Sequence, residues 1–151
     1  MPRLANDAWE ALLTAHAALM KQFAAEDTWT DVSMREYDVL YTLSKYAEPL
    51  RLSELNRHVL LSQPALSRLV ERLAERGLVS RHADPADGRG VRLSLTAAGR
   101  ARQHAIGRRH ARSVARAMTA GLTRAELAQL ETICRKLACA NDKEKEEVLF
   151  T

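Results

Sequence analysis

The stretch DPADGRGVRLSL, residues 84–95, constrains this chain more than any other. Asp84-Pro85 and Asp87-Gly88 are turn dipeptides, and Val91, Arg92, Leu93, Ser94 and Leu95 alternate apolar with polar. Asp-Gly beside such alternation predicts a β-hairpin, with strands over 78–82 and 91–95 and the turn at Asp87-Gly88. The rest of the chain carries helical spacing. Any fold must therefore set one basic hairpin on a helical body.

Six helices are expected around it. Leu4 to about Glu26 forms the first, with Trp9, Leu12, Leu13, His16, Met20 and Phe23 on one stripe. Ser33 and Glu36 make a capping box for the second, which stops before Pro49 and turns Tyr37, Leu40, Leu43 and Ser44 one way. A short third helix starts near Ser53 and carries Leu55 and Val59. Ser62 caps the fourth, Pro64 sits harmlessly in its first turn, and Gly77 ends it. Thr96 caps a fifth helix, which Gly121 stops. Thr123 with Glu126 opens a sixth, where Leu127, Leu130, Cys134 and Leu137 share a stripe. The charged tail NDKEKEEVLF either extends that helix or frays.

Charge is uneven. The 151 residues carry a net +4 at pH 7, yet Arg51 to Arg109 hold twelve arginines against five carboxylates, an excess of seven. A basic centre between more acidic ends suits a polyanion, although a solvated arginine-rich surface has the same composition. No apolar run approaches a membrane span, and the N-terminus lacks an apolar signal core, so a cytoplasmic protein is expected.

Two short helices followed by a basic hairpin give the order of a winged helix-turn-helix. If Leu66, Leu69, Val70 and Leu73 of the fourth helix face the core, then Pro64, Arg68 and Arg72 face away, with Gln63 and Ser67 beside them. Ser62, Gln63, Pro64, Ser67, Arg68 and Arg72 then form a DNA-reading face in the major groove, where Gln and Arg pair bidentately with adenine and guanine. Beside the hairpin turn, Arg89 can enter the minor groove. Asp87 holds the loop, since a carboxylate facing phosphate is repelled. Arg92, opposite Val91 and Leu93, faces solvent or phosphate.

These residues resemble the multiple antibiotic resistance regulator (MarR) family. The resemblance rests on Ser53-Glu54-Leu55, Ser62, Leu66-Ser67-Arg68-Leu69-Val70, Leu73, Arg76-Gly77-Leu78-Val79, and the wing pattern Asp84-Pro85, Asp87-x-Arg89, Leu95-Thr96 and Gly99. Gly88 stands where the family's wing often has arginine. The resemblance implies a transcriptional regulator, not an enzyme. It implies a homodimer bound to a pseudo-palindromic double-stranded DNA operator, usually as a repressor. Dimerisation then falls to residues 1–32 and 97–151, and DNA binding to the winged helix at 33–96. It also implies release by a small, often phenolic ligand, or by thiol oxidation.

His16, Trp29, Tyr37 and Tyr41 are the candidate residues for an aromatic ligand, although packing explains such residues equally well. Cys134, on the apolar stripe, is expected to be buried and inert, which leaves Cys139 as the candidate redox thiol. The five histidines show no metal-ligand spacing, and no cofactor is expected. No nucleophile–base pattern or phosphate-binding glycine loop points to an enzyme. A winged-helix module that binds protein instead of DNA is the other reading.

Overall fold

A computed structural model describes residues 1–148. The chain divides into two units, Met1–Ala111 and the residues from Arg112 on. In the first unit, α1 spans Pro2–Ala24, α2 Met34–Ser44, β1 Leu50–Arg51, α3 Leu52–Asn56, α4 Gln63–Glu75, β2 Val79–Asp84 and β3 Asp87–Leu95. α5 begins there and runs Ala97–Thr119; α6, Arg124–Val148, lies in the second unit. The six helices and the winged-helix order stand as expected. Leu149 and Phe150 of the charged tail lie outside the described residues.

Local chemistry sets the helix ends. The Ser33 hydroxyl accepts from the Glu36 N–H while the Glu36 carboxylate accepts from the Ser33 N–H, the reciprocal pair that starts α2. Thr123 and Glu126 repeat it at α6. α4 ends in a Schellman motif: Gly77 has φ +68, its N–H donates to Ala74 and the Leu78 N–H donates to Leu73. α3 is shorter than its sequence pattern, stopping at Asn56 before Val59. The Asn56 amide donates to the Leu61 carbonyl across the turn into α4, at 2.7 Å.

The core of the first unit gathers Val39, Leu40 and Leu43 of α2, Leu55 of α3, Leu66, Leu69, Val70 and Leu73 of α4, and Leu93 of β3. Except for Val39, these are the residues that helical and strand spacing assigns to the inside. The sheet has one strand more than expected: β1 joins β3 on the side opposite β2, pairing Leu50 with Leu93 and Arg51 with Arg92.

The hairpin turn is not where Asp-Gly places it. Asp84 pairs with Asp87, so the turn is Pro85-Ala86, and the register shift at Ala83/Asp84 leaves 88–90 as a bulge in β3. The Asp84 carboxylate accepts from the Ala86 N–H at 3.0 Å, and proline presets φ for the first turn position. Together they outweigh the Asp-Gly preference. Neither Gly88 nor Gly90 takes positive φ.

Two expected stripes are not covered. On α1 only Phe23 is buried, while Trp9 is 60% exposed. On α6, Ile133 and Leu137 are exposed and so is Cys134, contrary to the expectation of a buried thiol. Periodicity marks an apolar face; it does not say what covers it.

Candidate nucleic-acid interface

α4 has one closed face and one open one. Leu66 and Leu73 are fully buried, and Leu69 and Val70 nearly so. Gln63, Pro64, Ser67, Arg68 and Arg72 are all exposed on the other side. The Ser62 hydroxyl is partly committed as N-cap, accepting from Ala65 at 3.4 Å. Arg72 bends back along the helix, donating to the Arg68 carbonyl at 3.4 Å. Among the described residues the Arg68 guanidinium has no partner.

The far end of α4 is tied down. Arg76 reaches the Glu36 carboxylate at 3.3 Å and the Asp31 carbonyl at 2.7 Å, and Arg102 of α5 also binds Asp31. Sequence reading missed this network, because its members lie far apart in the chain. Anchoring one end leaves the first turns, with Gln63, Ser67 and Arg68, facing outward.

The wing is held from inside by Asp84, whose side chain is only 1% exposed. Arg51 of β1 donates to it through Nε at 2.6 Å, and Arg92 of β3 approaches at 3.1 Å. The hydrogen bond from Arg51 is the largest cause holding the Asp84 carboxyl at about 2, below its ordinary 3.8, and the Ala86 N–H adds to it. Arg92 therefore does not point to solvent or phosphate as alternation suggests. It turns back onto Asp84 and toward the Pro49 carbonyl at 3.5 Å. β1 is too short to show any alternation, so no local signal exposes Arg51. At the bulge the Asp87 carboxylate accepts from the Arg89 N–H at 3.1 Å. The Arg89 side chain is exposed and, among the described residues, unpaired.

This geometry coincides with a family match: residues 30–90 fit the model of the MarR family. Over those residues the chain is similar to a MarR-family winged helix.

Solved structures of transcriptional regulators, Sco3205 and AbsC of the MarR family among them, share the fold over most of the chain. Sco3205 of Streptomyces coelicolor, solved in complex with DNA, is 25% identical, with a TM-score of 0.75 over 88% of this chain and 84% of that one. AbsC from the same organism is 24% identical, with a TM-score of 0.76 over 91% and 94%. PcaV, also from Streptomyces coelicolor and solved with its natural ligand, is 28% identical, with a TM-score of 0.65 over 89% and 91%. A comparison with curated proteins found no match.

Beside its winged helix, the chain gathers an aromatic group. Trp29 and Tyr37 lie 5.7 Å apart between ring centroids, and Tyr37 stacks on Tyr41 at 5.9 Å. The histidine among them is His110 of α5, not His16. His110 lies 5.1 Å from Phe23, 5.2 Å from Trp29 and 5.7 Å from Tyr37, each edge-on. His16 is exposed on α1. A β-carbon on Gly107 would stand 3.0 Å from the Tyr37 hydroxyl, so glycine lets that ring approach α5. Burial pushes the Tyr37 phenol up, and a hydrogen bond from Gln103 opposes the shift. His110 Nδ1 sits 3.7 Å from Glu26 Oε2, too far for a hydrogen bond, and among the described residues neither buried atom has another partner. Cys139 is exposed like Cys134. Among the described residues no group of three or more potential metal ligands occurs, and no helix is long and apolar enough to cross a membrane.

Proposed function

We propose that this chain is a homodimeric, sequence-specific double-stranded DNA-binding transcriptional regulator. In this reading it acts in the cytoplasm as a repressor and leaves a pseudo-palindromic operator when a small aromatic ligand binds. The observation that carries the reading is the open face of α4: Gln63, Ser67 and Arg68 stand exposed on its first turns, with Arg89 exposed on the adjoining wing. That is the arrangement a recognition helix and a minor-groove arginine require. The match to the MarR family and the DNA complex of Sco3205 support it.

Residues 33–96 then bind DNA, and 1–32 with 97–151 pair the subunits. The exposed apolar residues Leu4, Trp9 and Leu13 of α1 and Ile133 of α6 support that division. Two subunits present two recognition helices to two half-sites. Trp29, Tyr37 and Tyr41, with His110 in place of His16, offer an aromatic ligand flat faces and a polar handle; the ligand complex of PcaV is in keeping with this.

The deciding experiment is selection of genomic fragments by the purified protein. An enriched inverted repeat, with half-site centres about 10 base pairs apart or a multiple of that, is the expected result. No enrichment by a folded dimer would favour the protein-binding module. Thiol-responsive release is the second reading, supported by the exposure of Cys139 and Cys134. Peroxide that leaves the operator complex intact would end it.

A further inference from the structure

We propose that Asp84 is a positioning residue that selects which arginines the wing offers to a polyanion: it withdraws Arg51 and Arg92 and leaves Arg89. The inference rests on the DNA-binding reading and adds to it a division of labour within the wing.

Arg51 and Arg92 are register partners across β1 and β3. Two like charges directly opposite on a ladder repel. Here one carboxylate lies between them, 2.6 Å from the first and 3.1 Å from the second. Asp84 comes from β2, the remaining strand, so this one side chain joins all three strands of the sheet. The site is built for it. A β-carbon on Gly90 would stand 3.0 Å from Asp84 Cβ and 3.4 Å from its Oδ2, so the bulge keeps a glycine where the carboxylate turns inward. The same carboxylate accepts from the Ala86 N–H, which fixes the turn just before Arg89. Arg89 is anchored through its backbone by Asp87 and keeps its guanidinium free. Of these three arginines near the bulge, Arg51 and Arg92 are engaged by the carboxylate, although Arg51 is itself exposed, and Arg89 alone has no carboxylate partner among the described residues.

Salt dependence tests this, because a purely structural role for Asp84 would not steepen it. Each phosphate neutralised adds about 0.9 to the slope of log K against log salt. On a mixed-sequence duplex, Asp84→Asn frees Arg51 and Arg92, and the slope should steepen by about 1–2. Each added contact should tighten non-specific binding about fivefold at 0.15 M salt. Adding Arg92→Gln to Asp84→Asn should take back about 1 of that slope. A folded Asp84→Asn with the parent slope overturns the proposal.

If Asp84→Asn does not fold, the parent protein supplies the test. Arginines are modified with butanedione, with and without the duplex, and mapped by mass spectrometry. Arg89 should be protected by DNA, while Arg51 and Arg92 should each react at the same rate in both samples. Protection of Arg51 or Arg92 by DNA overturns the proposal. Failure of the parent to bind any duplex in a salt-dependent way removes the DNA-binding reading as well; binding with the wrong arginine pattern removes this inference alone.

Discussion

Replacing Gly99 by alanine should strike the joint between the wing and α5. A β-carbon at Gly99 would lie 1.9 Å from the Leu78 carbonyl oxygen, a distance real β-carbons essentially never show below 3.0 Å. The obstacle is backbone, so no side chain can swing aside. α5 must retreat by about 1 Å, the shortfall between those two distances. That movement works against three hydrogen bonds. The Leu78 carbonyl accepts from Thr96 at 3.2 Å, the Thr96 hydroxyl donates to Gly77 at 2.6 Å, and it accepts from Gly99 at 2.9 Å as the α5 N-cap. Overpacking costs about 1–3 kcal/mol and a lost cap about 1 kcal/mol, so Gly99→Ala should lose about 2–4 kcal/mol. Urea unfolding followed by helical circular dichroism measures it, at one fixed protein concentration because association shifts the midpoint. Gly121→Ala is the comparison: nothing lies within 4 Å of its β-carbon and its φ is not positive. It should stay within about 1 kcal/mol of the parent. Gly99→Ala behaving like Gly121→Ala would refute the reasoning.

The DNA-facing residues separate by assay. Arg89→Ala should weaken binding to operator and random duplex alike and flatten the salt slope by about 1; an unchanged slope removes Arg89 from the contact set. Arg68→Ala should relax preference at one base pair per half-site, costing about 1–3 kcal/mol there, whereas equal weakening on all sequences would make Arg68 a phosphate contact. Asp84 titrates at about 2 in the fold against an ordinary 3.8, so its contribution is complete above about pH 4 and disappears as pH falls through about 2. Amide exchange in the wing, followed by NMR and corrected for intrinsic rates, should therefore show protection that holds from pH 7 to 4; wing opening near pH 5 would contradict this.

Much of the winged helix was legible because its signals are local. Ser62, Pro64, the spaced Leu66, Leu69, Val70 and Leu73, and Gly77 all lie within one helix and its ends, and each does in the fold what its type suggests. The turn was misplaced because Asp87-Gly88 is a strong local signal, while the bond from Ala86 to Asp84 and the inward turn of that carboxylate depend on strands closing around it. Arg92 was misoriented for the same reason: its partner strand, β1, has two residues and no alternation to read. Among the ligand candidates, Trp29, Tyr37 and Tyr41 are neighbours in sequence and meet in space. His110 joins them only because α5 packs there, which no spacing reveals. The burial expected of Cys134 failed on α6, where helical period identifies a stripe but not its cover.

Thr96 alone separates the end of β3 at Leu95 from the start of α5 at Ala97. That joint has no slack, because both the hydroxyl and the N–H of Thr96 are bonded to the Gly77-Leu78 backbone at the foot of the wing. Mechanically, α5 is then a lever welded to the hairpin. From Ala97 to Ala111 it measures about 20 Å at the usual helical rise, so displacing Ala111 sideways by about 2 Å rotates its foot by about 5°. His110, set among Phe23, Trp29 and Tyr37, sits at the long end of that lever. A side chain or ligand that pries those rings apart would turn the wing without touching it.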